Sequence, residues 1–564
     1  MYMNAMHIAR LALIRIFFLF LFILPIVLPR VASSQSIEPT TRQVDSLFAQ
    51  WDTQESPGAA IAIIKEGEVL YKKGYGMANL DHGIPNSPST IFDIASVSKQ
   101  FGGVAIAMLA QAGEISLDDE IHTYIPEVPD FGHPITVRQL VHHTSGLRDW
   151  PATLAIGGWR MDDVISFDQI LRMVWKQQEL NFEPGSAYSY SNTGYNLLAE
   201  LVQRVTKKSF SEWMHEHVFS PLEMNHSHFH DDHEMIVKNR AQAYRKTYGQ
   251  YKMVPNGLTA LASSSLFTSV DDLIKWVLNF ETKAVGGPEV LSLMHEQGSL
   301  NDGSELSYAF GNSIWSYRGL EHVTHSGGWA GFNTYLLRFP KERFAVIVLS
   351  NAGDLGASRR AYEIVDLYLK DRFLEEESTD SNPAASVDLT VDELDRFVGT
   401  YKLGLNWYVT ISREGNRLIT QATEEKAFDM TPVSSTKFWV PAYKAHIDFK
   451  GAESGSATHF EYKTFIAPRV EDIISQEDVG VGVYLGDYYS EELETTYSVH
   501  AQEGKVVLHH LRHGRIELSP LIEDVFGSDH WFMAEVEFVR DSAGEITGFI
   551  ASNSRARNIL FNKF

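Results

Sequence analysis

Apolar and polar positions along this chain change their period several times, and each change marks an element. Residues 58–65 and 69–73 read as strands joined by a Glu66-Gly67 turn, after a short helix-like stretch at 44–51. Helical spacing takes over at 96–112 and stops at Gly113. A helix-rich middle follows, with helices predicted at 166–177, 194–206, 210–218 and 269–279. Strand-like runs return at 307–317, 322–326, 333–339 and 344–349, and a helix at 359–373 closes the block. Strands at both ends with helices between predict one sheet built from the two ends, plus an inserted helical lobe.

The stretch 375–387 is acidic and then rich in Ser, Asn, Pro and Ala, the composition of a linker. Beyond it the pattern alternates and aromatics are frequent. Phe397-Val398-Gly399-Thr400-Tyr401 parallels Tyr484-Leu485-Gly486-Asp487-Tyr488. Glu414-Gly415 parallels Glu503-Gly504, and Pro432 with Phe438 parallels Pro520 with Phe526. Two similar β-domains, 388–475 and 476–564, account for this repeat. Each is long enough for an antiparallel barrel of about eight strands.

The first 34 residues read as a secretory leader, with Arg10 and Arg15, an apolar stretch at 16–28 and the small residues Ala32-Ser33-Ser34. The competing reading is an uncleaved membrane anchor, against which stand Pro25, Pro29 and the shortness of the run. Either way the body, starting with a block at 35–374, is expected outside the cytoplasm, in a bacterial periplasm or secreted. The full chain of 564 residues suggests two to four domains. Its 44% apolar and 12% aromatic content excludes wholesale disorder. A formal net charge of -24 argues against a nucleic-acid partner. Cysteine is absent, which removes disulfides, thiol nucleophiles and cysteine-ligated metals.

Three short motifs carry candidate chemistry: Ser96-Val97-Ser98-Lys99, Tyr190-Ser191-Asn192 and His325-Ser326-Gly327. A serine hydroxyl needs a neighbouring base, and a lysine three residues on at a helix start lies on the same face one turn away. Lys99 and Tyr190 are both candidate bases, the lysine after losing a proton and the tyrosine as a phenolate. Asn192 is placed to hold Lys99 and to bind a substrate amide. On the predicted edge strand, Gly327 lets a substrate backbone approach, and His325 offers a hydrogen bond or partial charge. The N–H groups of Ser96 and Gly328 are the candidate oxyanion hole. His142 and His143 read as braces for the Thr144-Ser145-Gly146 turn. The run His226, His228, His230, Asp231, Asp232, His233, Glu234 invites a zinc reading, but it lacks the helical His-Glu-x-x-His spacing and reads as a solvated loop. No metal or cofactor is expected.

In this order the motifs resemble those of class C β-lactamases and penicillin-binding-protein-like serine hydrolases. Phe92-Asp93-Ile94-Ala95, Leu140-Val141-His142-His143-Thr144-Ser145-Gly146-Leu147, Phe182-Glu183-Pro184-Gly185 and Tyr190-Ser191-Asn192-Thr193-Gly194-Tyr195 extend the likeness over roughly residues 37–373. The resemblance implies a β-lactamase/transpeptidase-like α/β fold, an antiparallel sheet with a helical lobe, and a site of Ser96, Lys99, Tyr190, Asn192 and His325. The tail resembles the two C-terminal β-barrel (lipocalin-like) domains of bacterial D-aminopeptidases. His-Ser-Gly stands where true β-lactamases of this group usually carry Lys-Thr-Gly, which removes a cation for a β-lactam carboxylate. The expected function is an exported serine hydrolase that forms an acyl-enzyme on Ser96 with small D-residue peptides, amides or esters. Carboxylesterase or weak β-lactamase action, and non-turnover binding of cell-wall peptides, are the alternatives. The expected partner is a small-molecule or short peptide substrate. Oligomeric state is not readable.

Overall fold

The apolar run Ala59–Lys65 lies inside a six-stranded antiparallel sheet. The order is Ser313–Tyr317, Leu320–Trp329, Phe332–Phe339, Phe344–Ser350, Ala59–Lys65, Glu68–Tyr75. The structure is a computed structural model described for residues 37–374, 386–423, 425–452, 455–470 and 473–564. The proposed leader and nearly all of the proposed linker lie outside these residues. Ala59 pairs with Ser350 and Lys65 with Phe344, so the two ends of the block close one sheet, as the pattern predicts. Ile61, Ile63, Val346 and Val348 point into a core with the helices Ile37–Phe48 and Ala357–Leu369. Ala60, Ala62, Ile347 and Leu349 point the other way, into the core of the helical lobe. Both faces are covered, which is why these strands carry no polar alternation. Full burial of each such Ile or Val stabilises the fold by about 1.5–3 kcal/mol.

Several boundaries differ from the sequence reading. The helix expected from residue 96 starts with a 3-10 turn, Ala95–Ser98, before the α-helix Lys99–Gln111. The strand expected over 307–317 narrows to Ser313–Tyr317. The helix expected over 210–218 is α-helical at Phe210–Met214 and then widens to a π-turn, His215–Phe219.

The tail repeat is visible in detail. Tyr401 donates its hydroxyl to the carbonyl of Phe397 at 2.9 Å, and Tyr488 donates to that of Tyr484 at 2.7 Å. Gly399 and Gly486 have φ of 152° and 143°, and a Cβ at either would collide with a basic side chain of its own last strand, Arg469 or Lys563. Eight strands from Gly399–Gly404 to Phe465–Val470 form a closed barrel. The second unit departs from the expected eight: its nine strands leave Gly514–Glu517 and Ser519–Ile522 as unpaired edges. Its core is completed from outside, by Ala152, Ala155 and Ile156 of the helix Trp150–Ile156. The last β-unit is therefore built onto the hydrolase block. A buried ion pair, Arg148 with Glu492, sits at this junction, and Arg148 also donates to the carbonyl of Asn558 at 3.0 Å.

Candidate active site

Ser96 stands on a turn that three segments hold in place. Ala95, just before it, has a φ of 48°, which is costly for any residue with a side chain. Buried Asp93 accepts the N–H of Ala95 and an amide N–H of Asn256, each at 2.8 Å. Burial raises the Asp93 pKa, and these hydrogen bonds oppose the rise. Thr334 Oγ1 donates to the Ile94 carbonyl at 2.8 Å.

One turn on, Lys99 is fully buried. Its Nζ lies 2.7 Å from Asn192 Oδ1, 2.7 Å from the Ser263 carbonyl oxygen and 3.3 Å from Ser96 Oγ. Burial drives its pKa well below 10.5; Asp149 opposes the shift and Arg555 adds to it. A neutral amine has two N–H groups and one lone pair. The two carbonyl oxygens take the N–H groups, which leaves the lone pair for the Ser96 hydroxyl.

Ser191 accepts the N–H of Gly194 at 3.4 Å and caps the helix Asn192–Thr206, so Tyr190 and Asn192 flank its first turn. Tyr190 lies with its ring 4.8 Å from Lys99 Nζ. Burial raises its pKa well above 10.0, while its hydrogen bond with Ser96 pulls the other way. Burial thus favours the neutral phenol over the phenolate at Tyr190, and it favours the neutral amine at Lys99 beside it. Asn192 has its carbonyl on Lys99 and its amide 3.0 and 3.1 Å from the two oxygens of Asp149, so it is fully engaged within the protein.

The third motif lies where Leu320–Trp329 loses its outer neighbour. Pairing with Ser313–Tyr317 ends at Thr324. Tyr317 with Leu320, and Trp329 with Phe332, close two-residue turns, so alternation aims the N–H groups of Ser326 and Gly328 at the free edge. A Cβ at Gly328 would meet nothing within 4 Å. One at Gly327 would lie 2.2 Å from the Ile94 carbonyl oxygen and 2.2 Å from Thr334 Oγ1. Gly327, expected to admit substrate, instead admits the Ser96 turn; Gly328 is the open position. His325 has Nδ1 2.7 Å from the Ser326 carbonyl oxygen and Nε2 3.0 Å from the Tyr308 hydroxyl. Burial lowers its pKa to about 3, so it is neutral, donating through Nδ1 and accepting from Tyr308.

The side chains of His142 and His143 hold other segments than the Thr144-Ser145-Gly146 turn expected of them: His142 Nδ1 lies 3.2 Å from the Tyr308 carbonyl oxygen. His143 Nδ1 accepts the N–H of Ser191 at 3.2 Å, and its ring centre lies 4.4 Å from those of both Tyr190 and Tyr308. In the run from His226, His228 Nε2 lies 3.4 Å from His230 Nδ1. Among the described residues, no group of three or more His, Asp or Glu is placed to hold a metal ion.

Four residues of the site escaped the sequence reading: Asp149, Ser263, Tyr308 and Arg555. Asp149 had a faint signal, two residues beyond the quoted Ser145-Gly146-Leu147. Arg555 had none. It sits between the strands Ile546–Asn553 and Ala556–Lys563 of the last β-unit, 406 residues from Asp149. Its Nη1 is 3.4 Å from Asp149 Oδ2, and its guanidinium lies 4.9 Å from the centre of the Tyr190 ring. The Arg555 carbonyl accepts the N–H of Asp149 and an amide N–H of Asn181, each at 2.9 Å. Ser96, Tyr188, Tyr190, Tyr308, His325, Gly328 and Arg555 share one open cleft of about 590 Å³.

A nucleophile with a depressed-pKa amine, a phenol and an open edge-strand N–H around it is the equipment of acyl transfer. Comparison with known proteins agrees with this geometry. The family model described as Beta-lactamase matches residues 44–369. Protein flp of Staphylococcus aureus (strain MW2) is 30% identical over 323 residues, which cover 55% of this chain and 63% of that protein. The chain thus spans less than two thirds of the length of that relative. The octameric penicillin-binding protein homologue from Pyrococcus abyssi matches with a TM-score of 0.53 at 23% identity, over 77% of this chain and 99% of that one. The D-amino acid amidase from Ochrobactrum anthropi SV3 matches with a TM-score of 0.50 at 21% identity, over 59% of this chain and 99% of that one. Both likenesses are of fold. The chain belongs to the Beta-lactamase family of serine hydrolases related to the penicillin-binding proteins.

Proposed function

We propose that the chain hydrolyses small peptides, amides or esters, D-residue compounds among them, through an acyl-enzyme on Ser96. The observation that carries this reading is the contact set of Lys99, two N–H groups spent on carbonyls and the third direction facing Ser96 Oγ at 3.3 Å. Neutral Lys99 takes the Ser96 proton as Oγ bonds to the substrate carbonyl carbon. The N–H groups of Ser96 and Gly328 receive the developing oxyanion. Tyr190 gives its proton to the leaving group and regains one from protonated Lys99, whose Nζ lies 4.8 Å from the centre of its ring, so the site ends the acylation with its proton count restored. Water then attacks the acyl carbon as neutral Lys99 accepts its proton, and that proton passes to Ser96 Oγ, 3.3 Å from Nζ, as the C–Oγ bond breaks and the acid leaves. The D-residue preference draws on the likeness to the amidase fold, and an extracytoplasmic location draws on the leader-like first 34 residues.

The test is covalent labelling. The full chain should react with a fluorophosphonate probe, and Ser96→Ala should abolish the label. A label that persists in Ser96→Ala would sink the assignment.

A further inference from the structure

The third motif supplies no positive charge, because His325 is neutral and both of its ring nitrogens are engaged. Lys99 is buried and committed to Asn192, Ser263 and Ser96. Yet the cleft is not without a cation. Arg555 lines it beside Ser96, with 48% of its side chain exposed. Among the described residues lining the cleft, it is the only Lys or Arg, and no Asp or Glu lines it. Its one side-chain acceptor among the described residues is Asp149 at 3.4 Å, a long contact that leaves most of the five guanidinium N–H groups for solvent or a ligand.

Its position is fixed from below. The hairpin that carries it is pinned by its own carbonyl, which accepts from Asp149 and Asn181, and by Arg557, whose N–H donates to Asn181 Oδ1 at 2.8 Å. The guanidinium lies over Tyr190, the group that protonates the leaving atom in the proposed reaction. Arg555 therefore flanks the leaving-group side of the scissile bond. A planar guanidinium with free donors pairs best with a carboxylate, which it can hold through two parallel hydrogen bonds.

We propose that Arg555, delivered by the last β-unit, is the specificity-determining cation of this site and selects substrates whose leaving group carries a carboxylate. The proposal rests on the acyl-enzyme reading above for which side of the site the leaving group occupies. It also gives the last β-unit a part in substrate choice, since the hydrolase block alone would present an uncharged cleft.

The test uses the full-length chain and two acyl-D-alanyl thioesters that share one acyl group. One releases thioglycolate and the other thioglycolamide, so they differ in the charge of the leaving group. The wild type should favour the thioglycolate ester in kcat/KM. Arg555→Met should lower that preference by about 10- to 100-fold, the worth of a hydrogen-bonded charge pair. Arg555→Lys should retain part of it, and Arg555→Glu should reverse it. A wild type with no preference for the thioglycolate ester, whether or not it turns either ester over, overturns the proposal. So does a variant that slows both esters equally, which would mark a purely structural role. Fluorophosphonate labelling of Ser96 in each variant reports separately on the catalytic reading, since that probe carries no carboxylate.

Discussion

Asp149 accepts both the backbone N–H of Asn192, at 2.7 Å, and its side-chain amide, at 3.0 Å. Asn192 in turn fixes Lys99, so a buried carboxylate acts on the base through one intermediary. Its charge also raises the Lys99 pKa against the larger lowering by burial. The rate of acylation should therefore climb with pH as Lys99 loses its proton, along a limb below 10.5, with no matching fall near neutrality because burial keeps Tyr190 protonated well above 10.0. In Asp149→Asn the counter-charge is gone, the Lys99 pKa falls further, and the limb should move toward acid. The plateau should drop, because a weaker base is a poorer proton acceptor. A pH profile of kcat/KM in both proteins checks this; an alkaline or absent shift would refute it.

Adjacent glycines should answer differently to the same substitution. A Cβ at Gly327 would press on the Ile94 carbonyl oxygen at 2.2 Å, two residues before Ser96, and backbone cannot yield there without moving the nucleophile. Gly327→Ala should cost about 1–3 kcal/mol of stability and most of the fluorophosphonate reactivity. Gly328→Ala meets open space and should leave the melting temperature nearly unchanged. Equal melting temperatures for the two variants would contradict this packing.

Those two glycines also show what the sequence could and could not say. Ser96, Lys99, Tyr190 and Asn192 stand in short motifs whose spacing reflects local geometry, a helix turn or a capped helix start, and His325 stands on a strand before two glycines. Which of two neighbouring glycines faces solvent depends on what lies across from each, and that is a long-range fact. Ser263 acts through its carbonyl, which every residue type possesses, so its side chain gives no sign. Arg555 reaches Asp149 across 406 residues, and no periodicity encodes such a contact. The fold follows the same division. The buried run Ala59–Lys65 announces itself by composition, whereas the last β-unit completes its core with Ala152, Ala155 and Ile156 from another part of the chain, a contact no local pattern shows.

His295 should make the fold sensitive to mild acid. Its Nε2 accepts from the Arg338 guanidinium at 3.1 Å, and burial, with that cation adding to it, lowers its pKa to about 4. Between pH 4 and the ordinary histidine value of 6.5, the unfolded chain binds a proton that the folded chain refuses. Stability is thus intact above 6.5 and is lost as pH falls through this window. At pH near 5 this one group accounts for up to about 2 kcal/mol. His295→Gln keeps an acceptor for Arg338 and cannot titrate. Calorimetric unfolding near pH 7 and pH 5 should show a smaller acid loss in the variant, and an unchanged loss would count against the assignment.

The Arg148–Glu492 pair should decide whether the last β-unit stays docked. Arg148 is fully buried and 5% of the Glu492 side chain is exposed, so neither charge has water to fall back on. Such a pair need not add net stability, because desolvation offsets its attraction. Removing one partner is another matter. Glu492→Gln leaves a buried guanidinium facing a neutral amide and should destabilise the junction by about 3–5 kcal/mol. The double variant Arg148→Met with Glu492→Leu removes both charges and should recover most of that loss. If Arg555 depends on this docking for its place over Tyr190, the single variant should also lose the preference for thioglycolate esters, while fluorophosphonate labelling of Ser96 persists. Limited proteolysis together with the thioester ratio reads both effects. A single variant that stays as stable and as selective as the wild type would show that the last β-unit is held to the hydrolase block by its apolar contacts with Ala152, Ala155 and Ile156 instead.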